Sequence, residues 1–256
     1  MLAFDSTGHG RDSVVVLIHG WPLNRSIWSG ISARIAAAGS RVLAPDLPGF
    51  GDSPSIEIGR ATVEAYADEV ARFIGPFKAR RVAVAGHSFG GYVALALVER
   101  LRDQVAGLGL IASRTTADSE TARQGRHDTI ERVRQGGTKV LLPVLAEKLV
   151  GPRAGATWRR QAELLIERAR PEGVSAALAA MATRPDRTAV FDSFTGPRLV
   201  IHGTADALIP VSEAARIARG PPDVRAILEG VGHMPMWDAS EATAEAIIAW
   251  TQALRA

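Results

Sequence analysis

Val82-Ala83-Val84-Ala85-Gly86-His87-Ser88-Phe89-Gly90-Gly91 is the stretch that decides the fold of this chain. Val82–Ala85 is short and continuously apolar, as a strand buried on both faces must be. Gly90–Leu101 follows with apolar residues near a 3.6 spacing and reads as a helix. Between them Gly86-His87-Ser88-Phe89-Gly90 is a G-x-S-x-G pattern in the setting that pattern requires: strand, tight turn, helix. Such a turn strains the serine backbone and exposes its hydroxyl. Side chains two residues before and after would collide, so Gly86 and Gly90 are needed. Gly91 lets the helix pack closely on the strand, and the helix start points N–H groups that favour negative charge. The plain alternative is a glycine-rich turn with an incidental serine.

Outward from this turn, Val14–Ile18, Val42–Ala44, Leu108–Ile111, Leu199–Ile201 and Ala226–Leu228 read as further buried strands. Ile27–Ala38, Val63–Ile74, Val211–Ala218 and Glu241–Leu254 read as helices. Strand and helix in alternation predict an α/β fold, a mostly parallel sheet with helices on both faces. The alternation fails from Arg114 to Pro197. Only helical patterns occur there, over Thr121–Arg134, Val140–Leu149, Thr157–Ala169 and Val174–Thr183. We expect a helical cap, residues 114–197, inserted into one core formed by residues 1–113 and 198–256. There is no internal repeat and no low-complexity linker. The cap carries the chain's excess of Arg and Lys, whose bland reading is a solvated outer face.

The 256 residues suffice for one well-buried domain, and 46% hydrophobic with 22% charged residues excludes disorder as the main description. The net charge is only +3; the pI near 9.8 reflects arginine, which stays protonated to high pH. Bulk charge therefore gives no support to a nucleic-acid partner. Cysteine is absent, which excludes disulfides, thiolate catalysis and Cys-ligated zinc, and fits a reducing compartment. No apolar run approaches the roughly 18 residues of a membrane span. Met1 to Ser13 is polar without an apolar signal core, so a cytoplasmic protein with nothing to cleave off is expected. Oligomeric state is left open.

A serine hydroxyl is a weak nucleophile at neutral pH and needs a base that is itself oriented by a third group. Of six histidines, His233 lies in Gly230-Val231-Gly232-His233-Met234-Pro235, a loop at the carboxyl end of a strand, where such sheets place functional groups. Its plain alternative is a loop histidine capping the next helix. Asp206, in His202-Gly203-Thr204-Ala205-Asp206, is the carboxylate just beyond strand Leu199–Ile201; the alternative is a turn carboxylate. Negative charge developing on a carbonyl oxygen calls for two aimed N–H groups. Phe89 supplies one candidate, and Trp21 in His19-Gly20-Trp21-Pro22 the other, with Gly20 allowing a sharp turn. The stretch Asp46–Pro54 is turn chemistry, with Asp52 assigned structure rather than catalysis.

With Ser88, Asp206 and His233 in that chain order, the sequence resembles the α/β-hydrolase superfamily. The resemblance rests on His19-Gly20-Trp21-Pro22, the Asp46–Pro54 turn, Gly86–Gly91, Gly203–Asp206 and Gly232-His233. It covers roughly Val14–Ser113 and Arg198–Leu254 and leaves out the cap. Members often begin with an antiparallel hairpin. Here only Leu2–Phe4 reads as a strand, so the sheet is expected to lack a strand at that edge. A serine at position 88 sets the chain apart from haloalkane dehalogenases and epoxide hydrolases, which carry Asp there. The chain looks most like the single-domain esterase, enol-lactonase and cofactor-free haloperoxidase group. That resemblance implies a serine hydrolase cleaving a small carboxylic ester or lactone through an acyl-enzyme on Ser88, with no cofactor and no metal. Perhydrolysis and carbon–carbon bond hydrolysis with the same triad stay open, as does a non-catalytic ligand receptor. Trp28, Trp158, Met181, Met234, Met236 and Trp237 are candidates for an apolar substrate pocket, with core packing as the alternative. Arg114 or Arg184 is a candidate partner for a substrate carboxylate, with a capping or surface arginine as the default.

Overall fold

The structure, a computed structural model, describes residues 1–10, 13–152, 154–215, 217 and 223–254. Strands β1 (Phe4–Thr7), β2 (Ser13–Ile18), β3 (Arg41–Pro45), β4 (Arg81–His87), β5 (Val105–Ile111), β6 (Arg198–Gly203) and β7 (Val224–Leu228) form one sheet in the order β1-β3-β2-β4-β5-β6-β7. All neighbours are parallel except β1, which runs antiparallel to β3. The central strands β2 and β4 are apolar and buried almost throughout, because helices cover both of their faces.

The edge differs from the expectation. The sheet does not lack its amino-terminal strand: Phe4 to Thr7 pair with Pro45 to Val42. The strand begins where Leu2–Phe4 was expected to end. Its residues are mostly exposed, as a one-sided edge strand allows, so it shows no apolar run.

Helices α1 (Ser29–Ala37), α2 (Val63–Ile74) and α3 (Phe89–Leu101) connect the first strands. After β5 come five helices: α4 (Glu120–Gly136), α5 (Leu142–Leu149), α6 (Ala156–Arg168), α7 (Pro171–Thr183) and α8 (Thr188–Ser193). The chain then returns to the sheet through β6, α9 (Ser212–Ala215) and β7, and ends with α10 (Pro235–Asp238) and α11 (Ser240–Ala253). Of the helix expected over Val211–Ala218 the structure describes Ser212–Ala215 as helical and Ile217 as a turn; Arg216 and Ala218 lie outside the described residues. Among the described residues no helix is long and apolar enough to cross a membrane.

The five-helix segment meets the core in two ways. Near the loops that follow the strands it does so backbone to backbone. Gly173 of α7 packs on Gly49, where a Cβ on Gly49 would stand 2.6 Å from the Gly173 Cα. A Cβ on Gly232 would likewise overlap the Gly151 N–H. Elsewhere ion pairs act, one cluster within the segment itself and one reaching across to α2 and α3. Asp118, whose side chain is fully buried, pairs with Arg114 (2.8 Å), Arg184 (2.8 Å) and Arg126. Arg187 lies between Glu99 (3.1 Å) and Glu64.

Candidate active site

Three loops at the carboxyl ends of β4, β6 and β7 build the site. The first is the turn after β4. Ser88 adopts φ 50° and ψ −114°, a strained conformation for a residue with a side chain. Three bonds hold it there: the Ser88 N–H to the Ile111 carbonyl (2.9 Å), and the Gly91 N–H (2.9 Å) and Ser113 hydroxyl (2.8 Å) to the Ser88 carbonyl. A Cβ on Gly86 would overlap the Gly90 carbonyl, and one on Gly90 the Ile18 carbonyl. Gly91 packs on β4 as expected, a Cβ there standing 3.2 Å from the Gly86 carbonyl, and it has a second, closer neighbour. The same Cβ would overlap the Ser113 hydroxyl, so the closest approach is to the loop after β5. Ser88 itself is half-buried at the head of α3.

The second and third loops are sewn together. Thr204 N–H donates to the Leu228 carbonyl (2.9 Å), Ala205 N–H to the Val231 carbonyl (2.9 Å), and Gly230 N–H to the Thr204 hydroxyl (2.8 Å). A Cβ on Gly203 would overlap the Val231 carbonyl, so the two loops touch where no side chain fits. This brings His233 Nδ1–H to Asp206 Oδ2 at 2.8 Å, with both side chains buried. Asp206 Oδ1 accepts from the Leu208 (2.8 Å) and Ile209 (2.9 Å) N–H groups. His202 Nε2 stands 3.3 Å from Asp206 Oδ2 and bonds the Ile209 carbonyl (2.9 Å). Burial alone would raise the Asp206 pKa. The positive charge that His233 can carry and these donors outweigh it and hold the carboxyl well below the usual range. The acid thus keeps its charge and fixes the imidazole with Nδ1 protonated and Nε2 free to accept.

On the oxyanion side, His19 Nδ1–H donates to the Gly20 carbonyl (3.0 Å) while its Nε2 accepts the Leu47 N–H (2.8 Å). Burial lowers the His19 pKa, which keeps that acceptor available. Gly20 is required for space rather than for a special φ: a Cβ there would come 2.5 Å from His87 Nδ1. Trp21 is half-buried, and its indole N–H reaches the Val174 carbonyl of α7 (3.1 Å). Phe89 is buried, with its ring edge-on to Tyr66 at 5.0 Å.

Most of the pocket candidates are buried. Trp28 is fully buried, edge-on to His87 at 6.5 Å. Trp158 of α6 stacks on Trp237 of α10 at 5.3 Å and 6°. Met181, Met234 and Met236 are buried. The two arginines proposed for a substrate carboxylate are engaged with Asp118. Arg184 also bonds the Met181 (3.0 Å) and Thr116 (2.9 Å) carbonyls and lies over the Tyr92 ring. Its buried guanidinium braces the five-helix segment from within. Asp52 pairs with Arg25 (2.8 Å), as part of a turn ordered by the buried Asp46 carboxylate. A cavity of about 590 Å³ lined by Glu99, Arg102, Val105 and Phe194 lies at the amino end of β5, away from Ser88. Among the described residues no group of three or more His, Asp or Glu is placed to hold a metal ion.

Sequence reasoning missed three residues that touch this arrangement. Ser113 holds the Ser88 carbonyl, His87 bonds the His233 carbonyl (2.8 Å), and Asp238 bonds the Gly232 N–H (2.8 Å). His87 lay in plain view inside the motif. Ser113 and Asp238 carried no local signal.

Comparison with known proteins agrees with this architecture. The chain is 30% identical to the pimeloyl-[acyl-carrier protein] methyl ester esterase of Aromatoleum aromaticum over 236 residues, 86% of this chain and 91% of that one. A thermophilic esterase from Thermogutta terrifontis superposes with a TM-score of 0.93 at 35% identity, over 100% of this chain and 94% of that one. The enol-lactonase of Burkholderia xenovorans shares the fold at TM-score 0.84 and 19% identity, covering 98% of this chain and 96% of that one. The model of the alpha/beta hydrolase family matches residues 15–246, and the chain belongs to that family.

Proposed function

We propose that this chain is a carboxylic ester hydrolase working through an acyl-enzyme on Ser88, with His233 as general base, Asp206 as its orienting acid, and the Trp21 and Phe89 N–H groups as the oxyanion hole. The observation that carries the reading is the 2.8 Å bond from His233 Nδ1–H to Asp206 Oδ2. It leaves Nε2 as the only imidazole atom able to take a proton from Ser88. His233 Nε2 removes that proton as Oγ attacks the ester carbonyl. The charge on the carbonyl oxygen is met by the two backbone N–H groups, each worth ~3 kcal/mol in such sites. Collapse of the tetrahedral adduct expels the alcohol, protonated by His233. Water, activated by the same imidazole, then releases the acid and restores Ser88.

A relative named for a methyl ester and an esterase at 35% identity support a carboxylic ester as substrate. The likeness to the enol-lactonase, at 19% identity, speaks for the fold alone. No observation favours perhydrolysis or carbon–carbon cleavage. The burial of Arg184 and its engagement with Asp118 and two carbonyls argue against recognition of an acidic substrate by that residue. The cysteine-free composition fits a reducing, cytoplasmic setting. The test is hydrolysis of p-nitrophenyl esters of increasing acyl length by wild type beside Ser88→Ala. We expect turnover in the wild type and a loss of roughly 10⁵-fold or more in the variant. Full activity in Ser88→Ala would overturn the reading.

A further inference from the structure

His233 follows a glycine in a loop, a setting that does not by itself hold a side chain in one place. The loop is nevertheless gripped on both sides of the histidine. One residue upstream, the Gly232 N–H donates to Asp238 Oδ2 at 2.8 Å. Downstream, the His233 carbonyl accepts from His87 Nε2–H at 2.8 Å. We propose that His87 and Asp238 are positioning residues, which clamp the backbone on either side of His233 and so aim its Nε2 at Ser88. The inference rests on the reading of Ser88 and His233 given above.

The environment of His87 suits it to this task. Its ring is boxed in: the His233 ring lies 4.8 Å away, Trp28 stands edge-on, and Gly20 covers Nδ1. A ring held that way cannot turn its donor elsewhere. Burial, with the nearby His233 and His19, drives its pKa down to about 3 against the pull of the His233 carbonyl and Asp206. The ring is therefore neutral at any pH where an ester hydrolase works. Its proton sits on Nε2, because the partner there is a carbonyl. A neutral ring also adds no charge against the imidazolium that His233 becomes during turnover. His87 precedes Ser88 directly on the end of β4. One strand terminus thus carries the nucleophile on one residue and the tether of its base on the residue before.

Asp238 grips the other side. The same Oδ2 that takes the Gly232 N–H also takes the Gly151 N–H of the cap at 2.7 Å. The clamp is thereby joined to the segment that roofs the site, at the point where Gly232 and Gly151 pack without side chains.

The test compares disruptive with conservative variants. Asp238→Ala removes both bonds to Oδ2 and His87→Phe removes the one to the His233 carbonyl; Asp238→Asn keeps an acceptor and His87→Asn keeps a donor. Four readouts are taken: kcat and KM on a p-nitrophenyl ester, the rate of Ser88 labelling by a fluorophosphonate, melting temperature, and the downfield proton resonance of the His233–Asp206 bond. We expect the disruptive variants to lose kcat and labelling rate by on the order of 100-fold, the scale of a base misplaced by about 1 Å. KM should stay within about twofold, as for an interaction realised in the transition state. The downfield resonance should shift or vanish, and the conservative variants should recover to within about tenfold of wild type. If His87→Phe does not fold, Asp238→Ala against Asp238→Asn decides the matter. Disruptive variants that label Ser88 as fast as wild type, or conservative variants that lose as much as disruptive ones, overturn the clamp. A wild type that the fluorophosphonate does not label at Ser88 overturns the serine reading beneath it.

Discussion

Around Ser88 and His233 the structure holds itself backbone against backbone. Gly86 meets Gly90, Gly203 meets Val231, and Gly232 meets Gly151, each at a distance no side chain tolerates. Away from these loops the cap is held by charge: Asp118 among Arg114, Arg126 and Arg184, and Arg187 between Glu64 and Glu99. Backbone contacts are short and stiff, and they fix atoms to the tolerance that proton transfer demands. Ion pairs fasten segments over a wider range of geometry, and their strength depends on charge state. The chemistry should thus be indifferent to the loss of these ion pairs so long as the contact of Gly151 with Gly232 and Asp238 is kept.

The sharpest way to break the comparison is at the acid. Asp206→Asn keeps the fold but removes the charge that sets the His233 tautomer, and a loss of about 10⁴-fold in kcat is expected from the corresponding change in a serine protease. A loss below tenfold would mean that the loop, not the carboxylate, orients the imidazole. The counterpart in the cap is Asp118→Asn, which leaves three arginines without their shared anion. Urea unfolding should record a loss of about 3 kcal/mol, while kcat per folded molecule changes less than about threefold. An activity loss as large as that of Asp206→Asn would erase the distinction between the two regions.

Acid should find the site before it finds the cap. His87 stays neutral in the folded chain until about pH 3, whereas an unfolded histidine binds a proton near pH 6.5. Between those values the unfolded state holds the extra proton, so stability rises with pH. It is lost on acidification by up to about 1.4 kcal/mol per pH unit. Buried His19, also lowered, adds to the slope. Asp118 and Asp206 have depressed values. Their contribution is present above the ordinary carboxylate range and is lost only as pH falls through their folded values. Melting temperature followed from pH 8 to 4 should begin to fall near pH 6.5, and a curve flat down to pH 4.5 would contradict the neutral histidines. The smallest effect belongs to the exposed pairs of Arg34 with Glu241 and Glu245. Arg34→Ala should change stability by no more than about 0.5 kcal/mol, and a larger change in urea unfolding would show that α1 and α11 depend on it.

Much of this was legible in the residues. The buried strands and the turn at Ser88 announce themselves because local sterics and double-faced burial leave few other readings of Val82–Gly91. The helix at Val63–Ile74 has the expected ends because Thr62 caps it, accepting the Ala65 N–H. β1 escaped because a strand paired on one side needs no apolar pattern, and Phe-Asp-Ser-Thr has none. α8 and α10, of 6 and 4 residues, are too short to show a period. The partners of Arg184, His87 and Asp238 could not be read locally. Each is decided by a residue between 6 and 146 positions away that only the closed fold brings near.

The contact between Gly49 and Gly173 sets a rule for anyone who would exchange the roof of this molecule. Two main chains pass there with no room for even a methyl group on either. A foreign helical segment grafted between β5 and β6 would need a glycine at the position of Gly173, and another at Gly151 where Gly232 presses in, before its specificity could matter. Any donor could be screened for those two positions from its sequence, ahead of any synthesis.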